Sequence, residues 1–329
     1  MMKNIFFWSI LMILLTSSVY TNELMHRSLL VTEKKQDIFV WEEMLLNSFD
    51  ELIVSWDAKR PVEGSYLIQV SLFIKEWSPW LDYAFWGAHD QYTFKKKLSK
   101  ANLQVCQNIV EVLKGNKANG FRIRVIAKDN ASLEQFRTLH ISATDHTTHK
   151  VSATAFENIF INLEIAGLSQ ITLPDERHLR LCSPTSTTAV IRFLSNSLNL
   201  SPLEFADTVI DSAFDIYGSW ILNTAQASHK LGNPWNCFVA RFTNFNQIVD
   251  QLRKGYPVIV SVKGPLKGSA LPYESGHLLV VKGYDSKKQE VFCMDPAFSA
   301  NELTHVTYAL DDFLVAWGRR KGIAYVFDQ

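Results

Sequence analysis

Two residues far apart in the chain, a cysteine and a histidine, sit in local sequences suited to nucleophilic chemistry. Cys182 lies in Leu181-Cys182-Ser183-Pro184-Thr185 and is followed by an apolar stripe. Proline is tolerated in the first turn of a helix, so the pattern predicts a helix from about Ser183 to Leu198 with Cys182 at its N-terminus. Unpaired backbone N–H groups and the positive end of the dipole stabilise a thiolate there, lowering the thiol below its free pKa of about 8.5. His277 opens Gly276-His277-Leu278-Leu279-Val280-Val281, which reads as a strand, and Glu290-Val291-Phe292-Cys293-Met294-Asp295-Pro296 reads as its antiparallel partner. A hairpin folded about Ser286 puts Asp295 directly opposite His277, with Cβ atoms about 4.5 to 5.5 Å apart. The carboxylate would then accept the imidazole N–H and fix its tautomer, leaving the other ring nitrogen for Cys182. A cysteine alone reads as a packing residue; with a base and an orienting carboxylate it reads as a nucleophile.

These side chains need a scaffold, and the second half of the chain supplies helices first and strands afterwards. Ser201-Pro202-Leu203-Glu204 is a helix start with cap, first-turn proline and N3 glutamate, and a further helical stretch runs from about Asn246 to Lys254. Strands follow at 257–263, 277–284, 290–294 and 322–327, so the expected fold class here is α+β. From about Trp41 to Leu163 the pattern alternates with period two, as in Tyr66-Leu67-Ile68-Gln69-Val70 and Phe121-Arg122-Ile123-Arg124-Val125, and turn signals punctuate it. That half reads as an all-β sandwich over residues 40–163. Its aromatic residues, Trp41, Trp56, Trp86, Tyr83 and Phe85 among them, read as core, with the turn Trp77-Ser78-Pro79-Trp80 as an exception.

With 329 residues, 47% of them hydrophobic and 20% charged, the chain has the length for two domains and the apolar content for a sizeable core. Lys+Arg and Asp+Glu both number 33, so no global field favours nucleic acid or an anionic membrane. The N-terminus pairs Lys3 with the apolar run Ile5 to Leu15 and then small polar residues, the outline of a secretory signal peptide over residues 1–21. The expected location is therefore secreted or periplasmic, with no stable membrane association after cleavage. The four cysteines, Cys106, Cys182, Cys237 and Cys293, leave room for at most one disulfide if Cys182 stays free.

The second half resembles the C39-like branch of the papain-fold cysteine peptidases. The resemblance rests on Ser169-Gln170, Cys182 to Ser186, Gly218-Ser219-Trp220-Ile221-Leu222-Asn223-Thr224-Ala225, Gly255-Tyr256-Pro257-Val258, Gly276 to Val281 and Asp295-Pro296-Ala297, in that order. It covers about residues 165–329 and implies an α+β papain-like peptidase domain preceded by the all-β unit. It also implies Cys182, His277 and Asp295 as nucleophile, base and orienting residue. Gln170 is implied as an oxyanion-hole donor in preference to Glu176, since an anionic carboxylate cannot donate to an oxyanion. Trp220 and Asn223 are candidate cleft residues, with helix-start packing as the alternative. Leu181 departs from the family's frequent tryptophan, a change expected in cleft packing.

The expected activity is amide-bond hydrolysis through a thioester acyl-enzyme, on a peptide or protein substrate that includes cell-wall peptide as a candidate. A papain-fold acyltransferase would use the same intermediate, and a non-catalytic peptide- or wall-binding protein is the alternative from another class. No cofactor is expected. His140, His146 and His149 lack a supporting ligand framework and read as a polar loop, so no metal is expected either.

Overall fold

The computed structural model describes residues 25–32, 37–155 and 158–329, so the export signal expected at residues 1–21 lies outside the described residues. The first half consists of strands β1 (Met25–Leu30), β2 (Ile38–Phe49), β3 (Glu51–Ala58), β4 (Ser65–Phe73), β5 (Leu81–Gly87), β6 (Gln91–Thr93), β7 (Lys95–Leu98), β8 (Leu103–Cys106), β9 (Ile109–Val112), β10 (Ala118–Lys128) and β11 (Phe136–Thr144). They form one sheet in the order β1-β11-β3-β9-β8-β7 and a second in the order β2-β10-β4-β5-β6. The two sheets face each other through large aromatic side chains. Trp56 of the first meets Trp86 of the second edge-on at 6.0 Å, and Phe136 meets Tyr66 at 5.3 Å.

The period-two alternation of β10 buries Phe121, Ile123 and Val125 and turns Arg122 and Arg124 outward. Trp77 and Trp80 fold over those arginines, with guanidinium-to-ring distances of 4.3 to 4.9 Å. The turn singled out in the sequence therefore stacks on charge outside the core.

The second half begins with β12 (Phe160–Asn162), followed by α1 (Cys182–Ser195), α2 (Pro202–Asp207), α3 (Trp220–Leu231), β13 (Asn236–Arg241), α4 (Asn246–Arg253), β14 (Val258–Val262), β15 (His277–Asp285), β16 (Glu290–Met294), β17 (His305–Ala309), α5 (Leu310–Gly318) and β18 (Ile323–Asp328). Its antiparallel sheet runs β13-β18-β14-β15-β16-β17, and β12 pairs with the far end of β15 beyond β14. Gly283 makes that pairing feasible, because a Cβ there would fall 2.2 Å from the Ile161 carbonyl oxygen.

Every residue of β3 is buried, which one sheet-to-sheet interface cannot explain. Even-numbered Leu52, Val54 and Trp56 belong to the interior between the two first-half sheets. Odd-numbered Ser55 and Asp57 turn to the second half, where their side chains accept hydrogen bonds from Val239 N (3.2 Å) and Cys237 N (2.8 Å) of β13. Ser142 of β11 does the same for Arg241 N at 3.1 Å. Strand β13 is the edge of its sheet, so its alternate N–H groups lack a strand partner; the polar face of the neighbouring sheet satisfies them. Glu51 completes this seam by pairing with the buried Arg241 guanidinium at 2.5 and 3.0 Å.

The histidines read as a polar loop are partly in this seam. His140 lies within β11, buried, with Nε2 2.6 Å from Asp57, while His146 Nε2 lies 3.0 Å from Glu51. The seam needs polar residues at the ends of strands, which the sequence displays as a hydrophilic run.

Candidate active site

Helix α1 starts at Cys182, one residue earlier than the pattern suggests, and its first turn holds Pro184. Leu181 precedes it as a fully buried residue. The helix is tied to the sheet by Ser186 Oγ, which donates to the Leu278 carbonyl at 3.0 Å, and by Ser183 Oγ, 3.0 Å from the Tyr325 hydroxyl. Because Leu278 follows His277 in β15, the first tie fixes the spacing between the helix start and the histidine. The His277 ring and the backbone N–H groups of Ser183 and Leu278 stand next to the Cys182 thiol and act on its charge. Burial works to raise the thiol, but the hydrogen bond and charge of His277 with those two N–H groups outweigh it and hold Cys182 below its ordinary value.

The other side of the imidazole meets Asp295. His277 Nε2 lies 2.7 Å from Asp295 Oδ1, and the carboxylate also accepts the Tyr273 and Tyr308 hydroxyls at 2.7 Å each and Ala297 N at 3.0 Å. Asp295 is fully buried; burial alone would raise its pKa, yet the His277 charge and these donors lower it. The ring of Tyr273 stacks on that of His277 at 4.1 Å. His277 loses solvation on burial, but the Asp295 charge and hydrogen bond, with Cys182 on the other nitrogen, shift it well upward. Thiol, imidazole and carboxylate thus form one chain of hydrogen bonds that favours a thiolate–imidazolium pair.

The hairpin does not place Asp295 where the sequence arithmetic puts it. Val280 pairs with Met294 and Val281 with Cys293, and a bulge at Lys282 shifts the register before Gly283 pairs with Phe292. Continuing that register puts Asp295 opposite Leu279, just past the end of β16, and the carboxylate reaches His277 diagonally. His277 itself pairs with Val262 of β14. The turn is the reason for the error: Asp285 pairs with Glu290, so the hairpin folds between Lys287 and Lys288 and not about Ser286, which moves Asp295 three positions from His277, and the bulge takes back one of them.

A cleft of about 530 Å3 opens at Cys182, lined by Trp220, Tyr217, Ser261, Gly276, Leu278 and Arg320 from the second half and by residues 106–109 from the first. Residues 106–109 form the two-residue turn between β8 and β9, with Gln107 at a φ of 55°. A non-glycine residue there is strained, and the turn is held by its neighbour Asn108. Asn108 Oδ1 accepts Ser219 Oγ at 2.9 Å and Ile221 N at 3.4 Å, so it caps α3, whose own N-cap Ser219 makes no side-chain cap. Tyr83 OH donates to the Asn108 carbonyl at 2.5 Å.

Residues 162–325 match the model of the Peptidase_C39 like family. This half of the chain belongs to the C39-like peptidase family. The chain is also similar to a solved structure, a candidate C39-like peptidase from Bacillus anthracis, with 14% identity and a TM-score of 0.40; the match covers 52% of this chain and 98% of that one. No curated protein matches the sequence.

Of the other residues expected at the C39-like site, Trp220 lines the cleft and Asn223 does not. Asn223 is fully buried, and its Nδ2 donates to the Tyr217 and Ser219 carbonyls at 2.9 and 2.7 Å, so it braces the turn that starts α3. Gln170 is buried beside the site, with its backbone N–H on the Pro296 carbonyl and its Nε2 donating to the His178 carbonyl at 2.8 Å. It is not among the cleft-lining residues, and its Oε1 is buried without a partner. All four cysteines are unpaired, so the single permitted disulfide is not formed. Tyr273, Tyr308 and the β8–β9 turn went unpredicted. Only the requirement that a buried carboxylate have several donors points toward the two tyrosines.

Proposed function

We propose that the chain is an exported cysteine peptidase that cleaves amide bonds through Cys182, His277 and Asp295, with a papain-like second half and the β-sheet first half as its companion domain. The observation that carries this reading is the His277 ring held between the Asp295 carboxylate at 2.7 Å and the Cys182 thiol, at the mouth of an open cleft. A helix that presents a thiol to a histidine on an antiparallel sheet is also the arrangement expected of a papain-like unit.

In the first step the Cys182 thiolate attacks the carbonyl carbon of the scissile peptide bond. The backbone N–H of Cys182 is assigned to the oxyanion that forms; Gln170, held on the His178 carbonyl outside the cleft lining, would have to turn its amide toward the thiol to serve as the second donor. His277, already protonated, gives its proton to the amine as the C–N bond breaks, leaving a thioester on Cys182 and a neutral imidazole. Water then attacks the thioester with His277 taking its proton, and the acid product departs with the thiolate restored. Asp295 keeps the ring oriented and supports its positive charge throughout.

The test compares the wild-type chain with Cys182→Ala on a mixed peptide library and on purified peptidoglycan. Turnover by the wild type and none by the variant is expected. Equal turnover by both would sink the proposal.

A further inference from the structure

We propose that Arg320, with Trp220 beside it, forms a carboxylate-recognising subsite of the cleft, so that the substrate is a peptide with an acidic group close to the bond that is cut. This deepens the cysteine peptidase reading and rests on it.

The position of Arg320 is the first argument. It lies in the turn between α5 and β18 and lines the same cleft as Cys182. A Cβ built on Gly276, the residue before His277, would stand 3.5 Å from the Arg320 Cζ. Arg320 Nε donates to Ser261 Oγ at 3.1 Å, and its Cζ is 5.6 Å from the centre of the Trp220 ring. The guanidinium is thus anchored at one nitrogen and set against an aromatic ring within reach of a peptide on Cys182.

The second argument is charge. Arg180, the other cation lining the cleft, pairs with Asp215 at 2.9 Å, and Arg241, which also approaches Trp220, pairs with Glu51 at 2.5 Å. Among the described residues Arg320 has no ion pair with a carboxylate, its Nη1 and Nη2 make no hydrogen bond to protein, and no Asp or Glu lines the cleft. Burial, and then the nearby Arg241 charge, hold the Arg320 guanidinium below its usual pKa, as unfavourable surroundings for an unpaired cation require.

A partly buried charge without a partner destabilises the free protein, and an incoming anion removes that penalty. The two unengaged nitrogens present the fork that a carboxylate accepts in bidentate fashion. That carboxylate comes either from an Asp or Glu side chain or from the peptide's own C-terminus.

The test uses the full chain and quenched fluorescent octapeptides of mixed sequence, in which one position is fixed as Glu or Gln, each made with a free or an amidated C-terminus. The expected wild-type preference in kcat/KM is about tenfold or more for the acidic member of a pair. The Glu/Gln arm reports a side chain and the acid/amide arm reports a chain end. Arg320→Gln is expected to bring the ratio close to one, Arg320→Lys to restore part of it, and Arg320→Glu to favour peptides carrying Lys, a reversal that misfolding cannot produce. A wild-type enzyme indifferent to both charges, or an Arg320→Gln variant with the full preference, overturns the subsite.

If the wild type cleaves no peptide, the peptidase reading fails, and anisotropy of the same peptides on Cys182→Ala decides the subsite separately. Tighter binding of acidic members that is lost in Cys182→Ala/Arg320→Gln upholds it; equal binding overturns it.

Discussion

At the residue scale, reactivity depends on how Cys182 and His277 share a proton. The lowered thiol keeps the thiolate at pH values below the ordinary range of a cysteine, and the raised imidazole keeps its proton up to about 10. Hydrolysis needs both, so its activity window widens on both sides: the acid limb moves down with Cys182 and the alkaline limb up with His277. Alkylation by iodoacetamide needs only the thiolate and is expected to persist above the alkaline limb. In His277→Ala the acid limb of alkylation should move up toward that of an unassisted thiol; an unchanged profile would remove the histidine from the account. Asp295→Ala removes the acceptor of two buried tyrosine hydroxyls as well as the histidine's partner. Breaking such a buried network should cost about 3 to 5 kcal/mol of stability, read as a fall in the denaturation midpoint. Asp295→Asn, which keeps an acceptor in place, should lose less.

At the element scale, the edge strand β13 depends on side chains from the opposite half for its hydrogen bonds. Asp57→Ala leaves the buried Cys237 N–H and the His140 ring without their partner. An unsatisfied buried donor costs about 1 to 3 kcal/mol, so urea denaturation should show a clear drop, and no drop would contradict the capping role. Elements of this kind also mark the limit of what the sequence reveals. Helix α1, the start of α2 and strands β14 to β16 were legible because local signals and burial agree there. Strand β3 falls within the stretch read as all-β but was not singled out, and its burial on both faces is hidden because Glu51, Ser55 and Asp57 look like a solvent side until β13 is placed against them. The bulge at Lys282 and the trans-capping of α3 by Asn108 depend on contacts that no local window contains.

At the scale of the whole molecule, the two halves share the seam at β3 and β13 and jointly wall the cleft. The β8–β9 turn lines it, and Arg60 from the first half donates to the Thr208 carbonyl at 2.8 Å in the second. Residues 158–329 produced alone would expose the β13 edge and the α3 face, and such an edge invites aggregation. That fragment is expected to show no cooperative unfolding and to lose the selectivity of Cys182 over Cys237, whose thiol burial pushes well above the ordinary range. A fragment with a sharp transition and native thiol selectivity would show that the first half is dispensable. The central claim concerns one sulfur atom, and mass spectrometry after brief exposure of the full chain to a peptidyl electrophile tests it most directly. The account predicts a single adduct on Cys182, absent in Cys182→Ala and strongly slowed in His277→Ala; no adduct, or Cys106 labelled as fast as Cys182, would contradict it.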